Sequence, residues 1–229
     1  MMEFGEIIAR IAVWVLPVLL AITLHEAAHG YVALLNGDDT AKRAGRVSAN
    51  PLVHIDPFGT VLLPLILIVL TGFAFGYAKP VPVDFGRLRH PRRDMILVAL
   101  AGPGANLVMA IIAAVLLPVA GGIGGGFGNW LLNMLHVMVF FNCLIAIFNM
   151  LPIPPLDGGR VMVGLLPYAL AWRYAQLERF GLFIVVGGLF LLPMLTRQLG
   201  LDFDPGRTLL LVPSQWLYDG LLATIRMGL

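Results

Sequence analysis

The hydrophobic pattern divides the 229 residues into long apolar runs separated by short polar, glycine-rich or proline-rich stretches. Residues 6–35 form the first run. As a helix it would be about 45 Å long at 1.5 Å per residue, more than the roughly 30 Å of bilayer hydrocarbon. Tilt, or a kink at Pro17, is therefore expected, and Asn36-Gly37 supplies the C-terminal stop. Residues 38–57 are polar, and the alternation over 45–50 suits a short strand. Residues 58–75 are apolar but short, interrupted by Pro64 and Gly72. Residues 79–84 (Lys-Pro-Val-Pro-Val-Asp) are expected to be extended, because each proline restricts its predecessor, and could form a strand edge at the membrane surface with 45–50.

A helix opened by Asp94 and running to about Val119 comes next, followed by an uncharged, flexible turn over 121–128 and a span over 130–150. Three prolines, Pro152, Pro154 and Pro155, then break the helix. A helix over 160–174 interrupted near Pro167, a span near 180–195 and an apolar segment over 208–225 complete the chain. The expected fold class is an all-α polytopic membrane protein of about five to six membrane segments, with a short membrane-associated β-hairpin or re-entrant element. Its single domain, residues 1–229, has core helices at about 6–36, 94–119 and 130–166, a re-entrant or spanning segment at 58–76, and C-terminal helices at about 176–197 and 208–226.

Composition agrees with a membrane protein: 59% of residues are hydrophobic and 12% charged, with a mean hydropathy of +0.89. The net charge of +2 is too small to imply a nucleic-acid partner. A cleaved signal peptide would discard the His-Glu pentad described below, so the first helix is expected to be retained. Basic residues flank 58–75 on both sides, with Lys42, Arg43 and Arg46 before it and Lys79, Arg87, Arg89, Arg92 and Arg93 after it. A spanning segment would place one of these groups outside, against the positive-inside tendency, whereas a hairpin turning near Pro64 keeps both in the cytoplasm.

The candidate chemistry begins at His25-Glu26-Ala27-Ala28-His29. Positions four apart share one helix face, so both imidazoles can hold one metal ion, with Glu26 beside it. Polar groups at membrane depth are costly and need a reason. Zinc suits imidazole ligands and lowers the pKa of a bound water to about 7, within reach of a carboxylate base. With Cys143 the only cysteine, thiolate ligation is excluded. The break at 149–160 presents Asp157, followed by two glycines, as the evident third ligand; the competing reading pairs it with Arg160 or has it cap the next helix. Two neutral imidazoles, an aspartate and a hydroxide would neutralise Zn²⁺, which limits the penalty of a low-dielectric site. Other third ligands are His54 and Asp56, in a loop where a surface histidine is the simpler expectation, and His136, on the outer part of its span. Asn106 is expected to hydrogen-bond between helices.

Together the pentad, Gly102-Pro103 and Asn149-x-x-Pro152-x-Pro154-x-x-Asp157-Gly158 resemble the site-2 protease family of intramembrane zinc metalloproteases. The resemblance covers three core helices over about 7–165. It implies one zinc per chain on His25, His29 and Asp157, Glu26 as catalytic base, and Asn149 positioning the substrate. It further implies cleavage of transmembrane or membrane-proximal segments of other membrane proteins, in a regulated manner. The expected setting is a multi-pass protein of a prokaryotic plasma membrane, its active site nearer the cytoplasm, with a transmembrane protein substrate and the bilayer as partners and homo-oligomerisation left open. A metal-ion transporter would show ligands at several depths, and a non-catalytic scaffold would not need Glu26. A prenyl-protein processing protease would use a glutamate as third ligand.

Overall fold

The computed structural model describes residues 4–63, 65–66, 69, 76–201 and 203–228. The described residues are helical or irregular, with no strand among them. Helix α1, Phe4–Leu35, contains a buried Pro17. It stops as expected: Gly37 takes φ +106°, and the Asp38 N–H donates to Ala33 O at 3.0 Å. Helix α2, Pro91–Ile123, starts three residues before Asp94, because Pro91 is pre-shaped for a first turn. Asp94 instead lies in the first turn, four residues after the N-cap, its Oδ2 accepting the His90 N–H at 2.7 Å.

The flexible turn expected over 121–128 is absent. Only Gly124, at φ +66°, separates α2 from α3, Gly125–Asn149. The reason is packing: a Cβ on buried Gly128 would lie 3.3 Å from Ala120 O, so glycine here allows close approach and the helices continue to the corner. The core helix expected over 130–166 is interrupted at Met150, and α4, Asp157–Leu165, begins afresh after the prolines. A second break at Leu166, extended ahead of Pro167, leads to α5, the helical stretch Tyr168–Gln198, which includes turns of tighter and wider helix. Helix α6 is Val212–Gly228.

Among the described residues four helices are long and apolar enough to cross a membrane: Ala12–Leu35, Pro91–Ile123, Gly125–Asn149 and Tyr168–Gln198. Helix α2 shows why lipid must surround them. Its alanines 110, 113, 114 and 120 are buried against Leu135, Val139 and Cys143 of α3, while Ile111, Ile112, Val115, Leu116 and Val119 point outward. Small residues inside and bulky ones outside are the pattern of helices packed in hydrocarbon. This is an integral membrane protein.

The loops before and after 58–75 are tied together. Lys79 N–H donates to His54 O at 2.9 Å, Tyr77 N–H to Gly59 O at 2.9 Å, and Arg89 N–H to Asn36 O at 3.0 Å. The strand expected over 45–50 does not form: Gly45 turns at φ +68°, and the Ser48 and Asn50 side chains accept from Asn50 N and Leu52 N, which competes with a ladder. The turn expected near Pro64 lies outside the described residues.

Buried Asp38 joins these loops to the end of α1. Its Oδ2 accepts the Asp84 N–H at 2.7 Å, and its Oδ1 accepts from the main chain and hydroxyl of Thr40. Burial alone would raise its pKa, but these hydrogen bonds hold it below the ordinary carboxylate value. Its stabilisation is therefore present above the unfolded-state pKa and lost as pH falls through the lowered folded value. Asp38→Ala should cost about 2 kcal/mol, as expected for lost hydrogen bonds to a charged acceptor. A thermal melt no lower than wild type at neutral pH would count against this.

Candidate metal centre

Helices α1 and α2 run antiparallel, with His25 opposite Asn106 and His29 opposite Val98. The contact is possible because of Gly102: a Cβ there would lie 2.5 Å from His25 Cε1 and 2.5 Å from His29 Nε2. The α2 backbone thus rests directly on both imidazoles. Helix α4 approaches in the same way. A Cβ on Gly158 would lie 2.3 Å from Met150 O, and one on Gly159 2.5 Å from Pro154 N. Those two glycines let the start of α4 fold back against the proline-rich break and carry Asp157, its first residue, to the histidines.

The result is a group of three buried side chains, each 5% exposed. The ligand atoms of His25, His29 and Asp157 all lie within 4.8 Å of one another. His25 Nε2 and His29 Nε2 are 3.0 Å apart; His25 Nε2 is 3.2 Å from Asp157 Oδ2, and His29 Nε2 is 3.3 Å from Asp157 Oδ1. A tetrahedral ion with ligand bonds of 2.0–2.1 Å has ligand atoms about 3.3 Å apart. The three separations fit that edge.

Hydrogen bonding gives an independent test of fit. His29 Nδ1 lies 2.7 Å from the Val98 carbonyl and His25 Nδ1 lies 2.6 Å from Asn106 Oδ1. Both partners are acceptors, so both Nδ1 atoms carry a proton, and in its neutral form each ring turns a bare Nε2 lone pair toward Asp157. Asp157 Oδ2 is itself buried with no hydrogen-bond partner among the described residues. Lone pairs facing one another in a buried site repel unless a cation lies between them. The donor set, two imidazoles and a carboxylate without thiolate, suits zinc.

Glu26 is half-buried next to this group, and its Oε2 accepts the Val81 N–H at 2.9 Å. Pro80 and Val81 of the loop over 79–84 therefore form one wall of a cavity of about 100 Å³. His25, Glu26, His29, Asn149, Asp157 and Arg160 also line it. Asn149 sits at the end of α3, with its Nδ2 donating to Ile145 O at 3.0 Å.

The competing readings of Asp157 have no support here. Among the described residues Asp157 makes no ion pair with Arg160, whose guanidinium lies over the Phe85 ring at 5.7 Å, and α4 has no side-chain cap. The alternative ligands lie elsewhere. His54, expected at the surface, is buried, with Nε2 donating to Ser48 O at 3.0 Å. Asp56 caps the turn at Pro57, and His136 bonds Tyr218 of α6 at 2.6 Å. Sequence reasoning missed the direct seat of the imidazoles on Gly102, the Val98 carbonyl, the Val81 amide, and Asn142. Only Asn142, a polar residue inside an apolar span, carried a readable signal.

A buried pair of histidines and an aspartate, with a glutamate at the cavity wall and lipid-facing helices around them, is the constellation of a membrane-embedded metalloprotease. Peptidase family M50 matches residues 123–193. Over 91% of this chain and 93% of its own length, a candidate zinc metalloprotease of Bacillus subtilis (strain 168), YwhC, is 37% identical. The corresponding candidate zinc metalloprotease Rip2 of Mycolicibacterium smegmatis is 30% identical over 84% of this chain and 70% of its own. No solved structure matches the chain. The chain belongs to peptidase family M50, the site-2 protease family, and is an intramembrane zinc metalloprotease.

Proposed function

We propose that His25, His29 and Asp157 hold one zinc ion and that Glu26 is the catalytic base for hydrolysis of peptide bonds in or near transmembrane segments of membrane protein substrates. The observation that carries this reading is the convergence of two Nε2 atoms, on rings whose Nδ1 atoms face acceptors, on a buried carboxylate whose Oδ2 has no hydrogen-bond partner among the described residues. Zinc, when bound, polarises the scissile carbonyl and acidifies a water. Glu26 takes the proton from the attacking water and delivers it to the leaving amine. The Val81 amide holds the Glu26 carboxylate at the cavity wall, and Asn149 positions the substrate. A substrate helix must unwind first, since its carbonyls are otherwise engaged.

The same reading places the site on the cytoplasmic side of a prokaryotic plasma membrane, in one membrane domain over residues 1–229, acting in regulated proteolysis. The main-chain bonds between the loops over 37–63 and 76–90 support it. They keep Arg43, Arg46, Arg87 and Arg89 together, which supports reading the segment over 58–76 as re-entrant and not spanning. Cysteine-accessibility labelling should find positions 43 and 89 reactive from the same face; opposite faces would remove the re-entrant assignment.

Purified protein should contain about one zinc per chain and cleave a model transmembrane substrate. Chelation should abolish cleavage and lower the melting temperature, because a ligand at 100 times its Kd stabilises by about 2.7 kcal/mol. Asp157→Asn should lose most of the zinc. Zinc retained at wild-type occupancy in that variant would defeat the ligand assignment.

A further inference from the structure

Beneath the metal centre, on the side away from the cavity, lies a chain of buried amides that links α3 to His25. Asn106 and Asn142 are both 0% exposed. Asn142 Nδ2 donates to Met138 O at 2.9 Å, and Asn106 Nδ2 donates to Ala21 O at 3.2 Å and to Asn142 Oδ1 at 2.8 Å. Main-chain carbonyls can only accept, so Met138 O and Ala21 O fix which way each amide points. The NH₂ of Asn142 must face Met138, which turns its oxygen to Asn106. The NH₂ of Asn106 is then used twice, on Asn142 and on Ala21. Its oxygen is the one atom left for His25 Nδ1, at 2.6 Å.

From this polarity we propose that Asn142 and Asn106 form a relay that presets His25 in its Nδ1–H tautomer, so that Nε2 is bare before any metal arrives. Both are positioning residues. The inference rests on the reading of His25 as a ligand, but its content is a property of the metal-free protein. An imidazole in hydrocarbon with no partner at Nδ1 would be free to place its proton on Nε2, the side facing His29 and Asp157, where a cation must bind. The relay removes that choice. It is built from two carboxamides, so it sets a tautomer without adding a buried charge.

His29 reaches the same tautomer by a different route, the Val98 carbonyl, and serves as an internal control. The chain has five histidines, so ¹⁵N-histidine spectra of chelator-treated protein in lipid nanodiscs can be assigned by single His→Gln substitutions. Wild type should show His25 with Nδ1 protonated and Nε2 bare. In Asn106→Leu, His25 should populate both tautomers while His29 is unchanged. Zinc affinity should fall about 10- to 100-fold, the usual loss when an outer-shell partner is removed. Asn142→Leu should shift His25 in the same direction but less, because Ala21 O still holds Asn106.

Wild-type His25 protonated on Nε2 would overturn the relay. So would an Asn106→Leu protein with an unaltered His25 tautomer, or one in which His29 changes equally, since that reports general loss of packing. A wild-type protein that shows the expected tautomers yet binds no zinc would instead refute the metal reading and leave the relay standing.

Discussion

Glu26→Gln should bind zinc as wild type does and cleave a transmembrane substrate about 10²- to 10⁴-fold more slowly, the range lost with a general acid–base group. The substitution is nearly isosteric, and the new amide oxygen can still accept the Val81 N–H that Glu26 Oε2 accepts at 2.9 Å. The cavity wall and the ligand set should therefore survive. What disappears is the atom able to take a proton and return it. Zinc content by elemental analysis and a single-turnover cleavage assay separate the two effects. Undiminished cleavage would remove Glu26 from the mechanism, and loss of zinc would show that Glu26 acts on the ligands instead.

Gly102→Ala should abolish the metal centre although the residue has no side chain and titrates nothing. The added methyl would lie 2.5 Å from His25 Cε1 and from His29 Nε2, well inside contact distance, and the obstructing atoms are ring atoms held at their far sides by Asn106 and Val98. Either α2 moves away or the rings rotate, and both separate the ligands. Overpacking of this kind costs about 1–3 kcal/mol. Gly104→Ala is the matched control, since nothing lies within 4 Å of its Cβ position. That variant should melt at or above the wild-type temperature, as alanine is the better helix former. Equal zinc content in the two variants would contradict the close helix approach described here.

The sequence made some of this legible and hid the rest for identifiable reasons. His25 and His29 could be placed on one face because helical spacing is a local property. The apolar runs could be read as spans because lipid demands length and hydrophobicity together. The prolines at 152, 154 and 155 announce a break, and a carboxylate beside a break is a natural candidate for a third ligand. The strand over 45–50 failed because its polar side chains bond their own backbone. The loop over 121–128 failed because glycine reads equally as a flexible joint or as the place where two helices touch, and burial of Gly128 decides for the second. Asn142 stood in plain view, but nothing in the chain linked it to His25.

By itself the sequence determined the class of fold, the histidine pair, the adjacent carboxylate and the break that bears Asp157. Each of these depends on residues within a few turns of one another, where covalent geometry and backbone preference suffice. Only the tertiary structure decided that Asp157 meets the histidines, that Gly102 lets α2 lie against their rings, and that Asn142 orients Asn106. Those contacts join residues 69 or more positions apart in the cases of His29 with Val98 and His25 with Asn106. Their register is set by how closely the backbones pack and by which buried polar groups must find partners.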